Sequence, residues 1–163
     1  MRRARTLDVA AIRSLIEGYA GAGILLEKPF VALYEDVQEF WVAAEAEDGR
    51  VVGCGALHVM WEDLAEVRTM AVDPAWRGRE VGSRILERLL ETARSLGIRR
   101  VFVLTFEVAF FARHGFEVID GTPVGAEVYE ELLRSFDEGV AEFLDLERVK
   151  PNTLGNTRML LLL

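Results

Sequence analysis

AEVRTMAVDPAWRGREVGSRILERLL (65–90) carries two periodicities joined by a short loop. Residues 65–72 predict a strand, and Asp73-Pro74 closes it, because proline fixes φ and brings no N–H to a ladder. From Val81 the apolar positions Val81, Ile85, Leu86, Leu89, Leu90, Ala93 and Leu96 recur at helical spacing. Arg84, Glu87, Arg88, Glu91 and Arg94 fall between them and form the solvated face. Gly97 stands where a helix C-cap is expected, and VFVLT (101–105) reads as a buried strand. Strand 65–72, helix 81–96 and strand 101–105 therefore make one β-α-β unit.

Toward the N-terminus, residues 2–5 read as a short strand, and Asp8 as the N-cap of a helix reaching about Tyr19. Val9, Ile12, Leu15 and Ile16 share its apolar face, and Gly21 and Gly23 end it. Pro29 suits the first turn of a second helix that runs to near Asp36. Phe40, Val42 and Ala44 then alternate, Asp48-Gly49 is a hairpin turn, and Val51 to Val59 returns. Toward the C-terminus, FFARH (110–114) is a short helix stopped by Gly115, and Phe116 to Ile119 extends again. One helix near 126–135 and a last strand near 156–162 complete the chain. This order predicts an α+β fold: a mixed, mostly antiparallel sheet flanked by helices in an α/β/α sandwich, with residues 1–163 forming one domain.

Composition narrows the function. The 163 residues carry a formal net charge of −8, which argues against nucleic acid and against an anionic membrane surface. One cysteine, Cys54, excludes an intrachain disulfide and lies in a strand-like run where a thiol is buried and inert. With only His58 and His114 beside it, no zinc set is available and no metal is expected. The basic start lacks the apolar run of a secretory signal, and MLLLL (159–163) is too short to span a bilayer, so a cytoplasmic protein is expected.

The loop from Arg77 to Ser83 feeds a helix N-terminus, where first-turn amides and the helix dipole favour an anion. An ordinary solvated turn satisfies the same residues. VDPAWRGREVG (72–82) resembles the acetyl-CoA signature of the GNAT superfamily of N-acetyltransferases, (Arg/Gln)-x-x-Gly-x-(Gly/Ala). Arg77 fills its first position and Gly82 its last. FFARHGF (110–116) is similar to the superfamily's second helix motif. More narrowly, residues 23–42, AEVRTMAV (65–72), VFVLT (101–105) and NTRMLL (156–161) resemble the acetyltransferase domain of N-acetylglutamate synthases. Those enzymes open arginine biosynthesis. Their long forms add an amino-acid-kinase-like domain that has no counterpart here, so regulation by arginine does not carry over.

The resemblance implies an enzyme that transfers the acetyl group of acetyl-CoA, its co-substrate, to the α-amino group of glutamate or glutamine. It implies that Met70, Ala71 and Val72 offer strand backbone to the pantetheine arm, with one N–H polarising the thioester. It assigns the pyrophosphate to Arg77, Gly78, Arg79, Glu80, Val81, Gly82 and Ser83. Glu80 departs from the usual glycine, and a carboxylate beside a pyrophosphate weakens binding when it faces the ligand. Glu66 is the base expected to take the proton of the acceptor ammonium, since only the free amine attacks a thioester. Thr105 is placed to assist the leaving thiolate. Phe111, grouped with the cofactor positions, stands where many relatives carry an acidic Tyr.

A substrate carboxylate calls for cations, and Lys28, Arg68, Lys150 and Arg158, with Asn156, are the candidates. Gly155 stands where some synthases carry a basic residue, so glutamate and glutamine both stay open as acceptors. Two other readings also stay open: acetylation of another amine such as a peptide N-terminus, and a non-catalytic acetyl-CoA sensor. A homodimer is plausible for the family.

Overall fold

A computed structural model describes residues 1–20, 25, 28–46, 49–146 and 155–163. The elements run in order β1 (Arg2–Arg3), α1 (Val9–Ala20), α2 (Phe30–Glu35), β2 (Phe40–Ala44), β3 (Val51–Trp61), β4 (Leu64–Val72) and α3 (Val81–Ser95). Then follow β5 (Arg100–Thr105), α4 (Val108–Arg113), β6 (Glu117–Val118), α5 (Ala126–Leu132), α6 (Glu138–Phe143) and β7 (Thr157–Leu162). The strands form a seven-stranded sheet in the order β1-β2-β3-β4-β5-β7-β6. The pair β4–β5 is parallel, running from Leu64↔Arg100 to Glu66↔Phe102, whereas β1–β2, β2–β3, β5–β7 and β6–β7 are antiparallel. This is the mixed, mostly antiparallel sheet with flanking helices that the sequence predicts.

The chain divides into two compact units, Met1–His58 with Val67–Leu96 and Val59–Glu66 with Gly97–Leu163, and β3 and β4 run through both. In the first unit Val9, Ile12 and Ile16 of α1 pack with Leu33, Phe40, Val42 and Cys54 into an apolar core. α3 lies close over β3 because Gly53 and Gly55 present no side chain there. A Cβ on Gly55 would stand 2.8 Å from Ile85 Cγ2 and 3.0 Å from Met70 Cγ. In the second unit Phe102 meets Phe143 edge-to-face at 4.8 Å, in a core with Met60, Leu64, Leu132, Val140 and Leu144. Asp63 starts the parallel pair: its carboxylate takes Arg100 in a fork at 3.0 Å and 3.0 Å, and its carbonyl accepts from the amides of Arg99 and Arg100. The Arg100 guanidinium holds the Asp63 carboxyl below the usual carboxylate range.

Three local expectations need correction. Asp8 does not cap α1 from outside the helical turn; it ends a 3-10 turn, Thr6–Asp8, that runs straight into α1. Its carboxylate instead accepts from the Arg5 amide at 2.7 Å and from the Arg2 guanidinium at 2.6 Å and 2.8 Å. Pro29 is the N-cap of α2 with extended ψ of 155°, one residue ahead of the first turn. The helix predicted near 126–135 is the shorter α5, and a second helix that the sequence does not predict, α6, follows it, capped by the Asp137 carboxylate on the Val140 amide. Among the described residues no helix is long and apolar enough to cross a membrane.

Gly55→Ala is expected to lose about 1–3 kcal/mol of unfolding free energy in urea, by overpacking α3 against β3. Gly18→Ala, in α1 with nothing within 4 Å of its Cβ position, is expected to gain up to about 1 kcal/mol. Equal effects from the two substitutions would refute the packing argument.

Candidate active site

In the first unit, β4 delivers the chain into a turn fastened by Asp73. The Asp73 amide donates to the Val52 carbonyl at 2.9 Å, and its carboxylate accepts from the Ala75 amide at 2.9 Å and pairs with Arg50 at 2.6 Å. A 3-10 turn, Pro74–Trp76, follows, and the Arg79 guanidinium lies 4.9 Å from the centre of the Trp76 ring. Gly78 has φ of +75°. Glu80 is the N-cap residue of α3 and is left-handed too, with φ 58° and ψ 12°, and its side chain makes no capping hydrogen bond. Glu80 therefore stands one residue ahead of the helix, where its backbone matters as well as its charge. The usual glycine at this position answers a backbone need, since the left-handed region costs a residue with a Cβ about 1–2 kcal/mol. The Glu80 side chain is exposed.

β4 itself is distorted. Thr69 has φ of 58° inside the strand, an outlier for a β-branched residue, three positions after Glu66 and one before Met70. No motif in the sequence signals it. The Cys54 thiol points at the Thr69 carbonyl at 3.7 Å, and burial pushes that thiol up to about 12, so Cys54 is no thiolate nucleophile at neutral pH.

Lys28 and Arg68 also lie in the first unit, and both meet carboxylates. Lys28 pairs with Asp36 at 3.3 Å, while Arg68 reaches Asp36 at 3.5 Å and Glu39 at 3.3 Å. His58 Nδ1 lies 2.7 Å from the other Glu39 oxygen. Asp36, Glu39 and His58 were not picked out from the sequence; the spacing Asp-x-x-Glu around a turn was their signal.

The second unit holds Glu66, Thr105, Phe111, Asn156 and Arg158. Glu66 is 3% exposed, opposite Phe102 in the β4–β5 register. Thr105 is buried, and its hydroxyl oxygen accepts from the Glu107 amide at 2.9 Å, which leaves its O–H to donate elsewhere. Phe111 is buried edge-on against Phe116 at 5.2 Å, and so serves the core of this unit. Asn156 is half-buried just before β7. Arg158 grips the end of α6, donating to the carbonyls of Glu142 and Phe143 at 2.8 Å each, and lies over the Phe102 ring. Lys150 lies outside the described residues. Glu142, absent from the sequence reading, is a carboxyl pushed up to about 7, first by burial and then by the charges of Glu66 and Glu138, with Arg158 opposing. Among the described residues no cluster of three or more His, Cys, Asp or Glu side chains is placed to hold a metal ion.

Residues 11–116 match the model of the acetyltransferase (GNAT) family. The chain belongs to the GNAT family. It is an acetyltransferase. The amino-acid acetyltransferase of Mycobacterium tuberculosis is 65% identical over 164 residues, which covers 100% of this chain and 94% of that protein. An N-acetyltransferase of Chlorobaculum tepidum, CT2212, is 36% identical across 74% of this chain and 76% of its own length. The crystal structure of Rv2747 from Mycobacterium tuberculosis in complex with CoA and NLQ superposes with a TM-score of 0.95 at 65% identity, over 99% of this chain and 98% of that one. N-acetylglutamate synthase from Neisseria gonorrhoeae, complexed with coenzyme A and N-acetyl-glutamate, shares the fold, with a TM-score of 0.76 at 24% identity, over 99% of this chain and 34% of that one.

This loop of the GNAT chain combines strained backbone with exposed cations. Backbone is left-handed at Gly78 and Glu80, the Glu80 side chain makes no capping bond at the α3 mouth, and Arg77 and Arg79 are exposed beside it. Two outcomes follow. Glu80→Gly should raise stability by about 1 kcal/mol and tighten acetyl-CoA several-fold by calorimetry, while Glu80→Ala, which keeps the Cβ, should leave stability near wild type. If Ala stabilises as much as Gly, backbone strain is not the cause. Separately, Glu142 is raised from 4.5 to about 7 in the folded protein, so its contribution is fully present below pH 4.5 and is lost as pH rises through about 7. Glu142→Gln should therefore gain about 1–2 kcal/mol over wild type at pH 8, after allowance for solvent screening, and almost nothing at pH 4.5. Unfolding curves at the two pH values decide it.

Proposed function

We propose that the protein is an amino-acid N-acetyltransferase that moves the acetyl group of acetyl-CoA to the α-amino group of glutamate or glutamine, the opening step of arginine biosynthesis. The observation that carries this reading is the 65% identity, across all of this chain and 94% of its partner, to an amino-acid acetyltransferase. A substrate pocket rebuilt for a different class of amine would be hard to reconcile with so uniform a likeness.

The chemistry asked of the chain is modest. An ammonium acceptor must lose a proton, its nitrogen must reach the thioester carbon, and the C–S bond must break to free the CoA thiol. Glu66 takes the proton as general base from its buried position on β4. The Thr105 hydroxyl donates toward the leaving sulfur. Backbone at Met70 to Val72 aligns the pantetheine arm, and Arg77 to Ser83 hold the diphosphate. Lys28, Arg68 and Arg158 are the cations for the acceptor's carboxylates, with Asn156 beside Arg158. Lys28 and Arg68 come to that role already balanced by Asp36 and Glu39, so an acceptor whose ammonium also meets those acids suits them best.

Thiol release measured against glutamate, glutamine and aspartate tests the proposal. CoA should appear with glutamate or glutamine at a kcat/KM well above that with aspartate or a dipeptide. Acetyl-CoA binding without CoA release for any amino acid would make the protein a sensor instead. Glu66→Gln should cut kcat roughly 10²–10⁴-fold with cofactor affinity near wild type; retained turnover removes Glu66 from the mechanism.

A further inference from the structure

Arg77 is exposed, yet it does not stand alone. One of its guanidinium nitrogens donates to the Tyr19 hydroxyl at 3.2 Å, and its carbon lies 5.7 Å from the centre of the Tyr19 ring. The Tyr19 hydroxyl in turn lies 2.6 Å from the Val72 carbonyl. The direction of this chain is fixed by chemistry, because a guanidinium only donates and a carbonyl only accepts. Arg77 therefore donates to Tyr19, and Tyr19 donates to Val72. Each link polarises the next.

Both partners of the hydroxyl lie in the segment assigned to acetyl-CoA. The Asp73 amide is directed at Val52 on β3, so the alternation of a strand turns the amide and carbonyl of Val72 to the opposite edge. Tyr19 itself belongs to the last turn of α1, where its ring packs at the margin of the first unit's core and is only half-buried. A phenylalanine would fill that space equally well. The hydroxyl is needed only for the two contacts it makes.

We propose that Tyr19 is a positioning residue of the acetyl-CoA site, holding Arg77 ready for the diphosphate before the cofactor arrives. This rests on the reading of the Arg77–Ser83 loop as the diphosphate site. A long arginine loses rotamer freedom when it closes on a ligand, and a side chain already held in place loses less. Nothing in the sequence marks the residue: Tyr19 is fifty-eight positions before Arg77, outside the signature.

Steady-state kinetics of wild type and Tyr19→Phe with two donors, acetyl-CoA and S-acetylpantetheine, test the assignment, because the second donor has no diphosphate. With acetyl-CoA, Tyr19→Phe should raise KM by about 5- to 20-fold, the scale of one lost hydrogen bond to a charged group, with kcat within about twofold. With S-acetylpantetheine, the variant should lose several-fold less kcat/KM than it loses with acetyl-CoA, because only the Val72 link is left to be felt. The effect should also vanish in an Arg77→Ala background, which gives a double-mutant cycle with clear coupling. An unchanged KM for acetyl-CoA in Tyr19→Phe, an equal loss with both donors, or additivity with Arg77→Ala would each overturn the role of Tyr19. A wild-type enzyme that uses both donors equally well would instead overturn the assignment of the diphosphate to the loop.

Discussion

Helix α3 can lie where it does only because β3 carries glycine at positions 53 and 55. Any side chain there would collide with Ile85, Val81 or Leu89. The close approach fixes the line of the helix, and the line of the helix fixes where its mouth opens after β4. Everything assigned to the cofactor follows from that placement: the Asp73 turn, the left-handed residues Gly78 and Glu80, and the amides that begin α3. Stability is given up at the mouth, where Glu80 and, within β4, Thr69 sit in backbone regions that favour glycine. The packed helix behind them keeps those strained residues in place.

Charge is managed in the same local way. A chain of net charge −8 has to place its cations among a surplus of acids. It does so by tying them into short networks. Lys28 and Arg68 share Asp36, Arg68 and His58 share Glu39, and Arg158 is fastened to the carbonyls that end α6. In the second unit the same economy runs the other way, since the charge of Glu66 helps to push Glu142 toward its neutral form. A like-charge neighbour that can take up a proton repels a carboxylate less than a fixed anion does.

Much of the fold was legible in the chain. The β-α-β unit, the hairpin-rich N-terminal half and the last strand all have regular apolar spacing, and spacing reflects burial directly. The failures fall where local signals compete. Asp8 has the chemistry of an N-cap, but Arg2 and the Arg5 amide capture its carboxylate. Residues 126–135 read as a helix, and α5 is there, but α6 was missed: Asp137 caps it, a local bond whose importance is plain only once Phe143 is seen against Phe102. The cofactor loop was legible because backbone amides need small and basic neighbours in fixed order. Thr69, Tyr19 and Glu142 were not, since each matters through partners far away in the chain.

The sequence by itself determined the fold class and the family, because periodicity and signature are properties of neighbouring residues. Tertiary structure alone decided the conformation at Glu80, the partners of Lys28, Arg68 and Arg158, and the hydroxyl that links Arg77 to Val72. The reason is physical. A residue's type sets which bonds it is able to make, but which bond it makes depends on what folding brings within about 3 Å of it, and that distance is not written in the order of the chain.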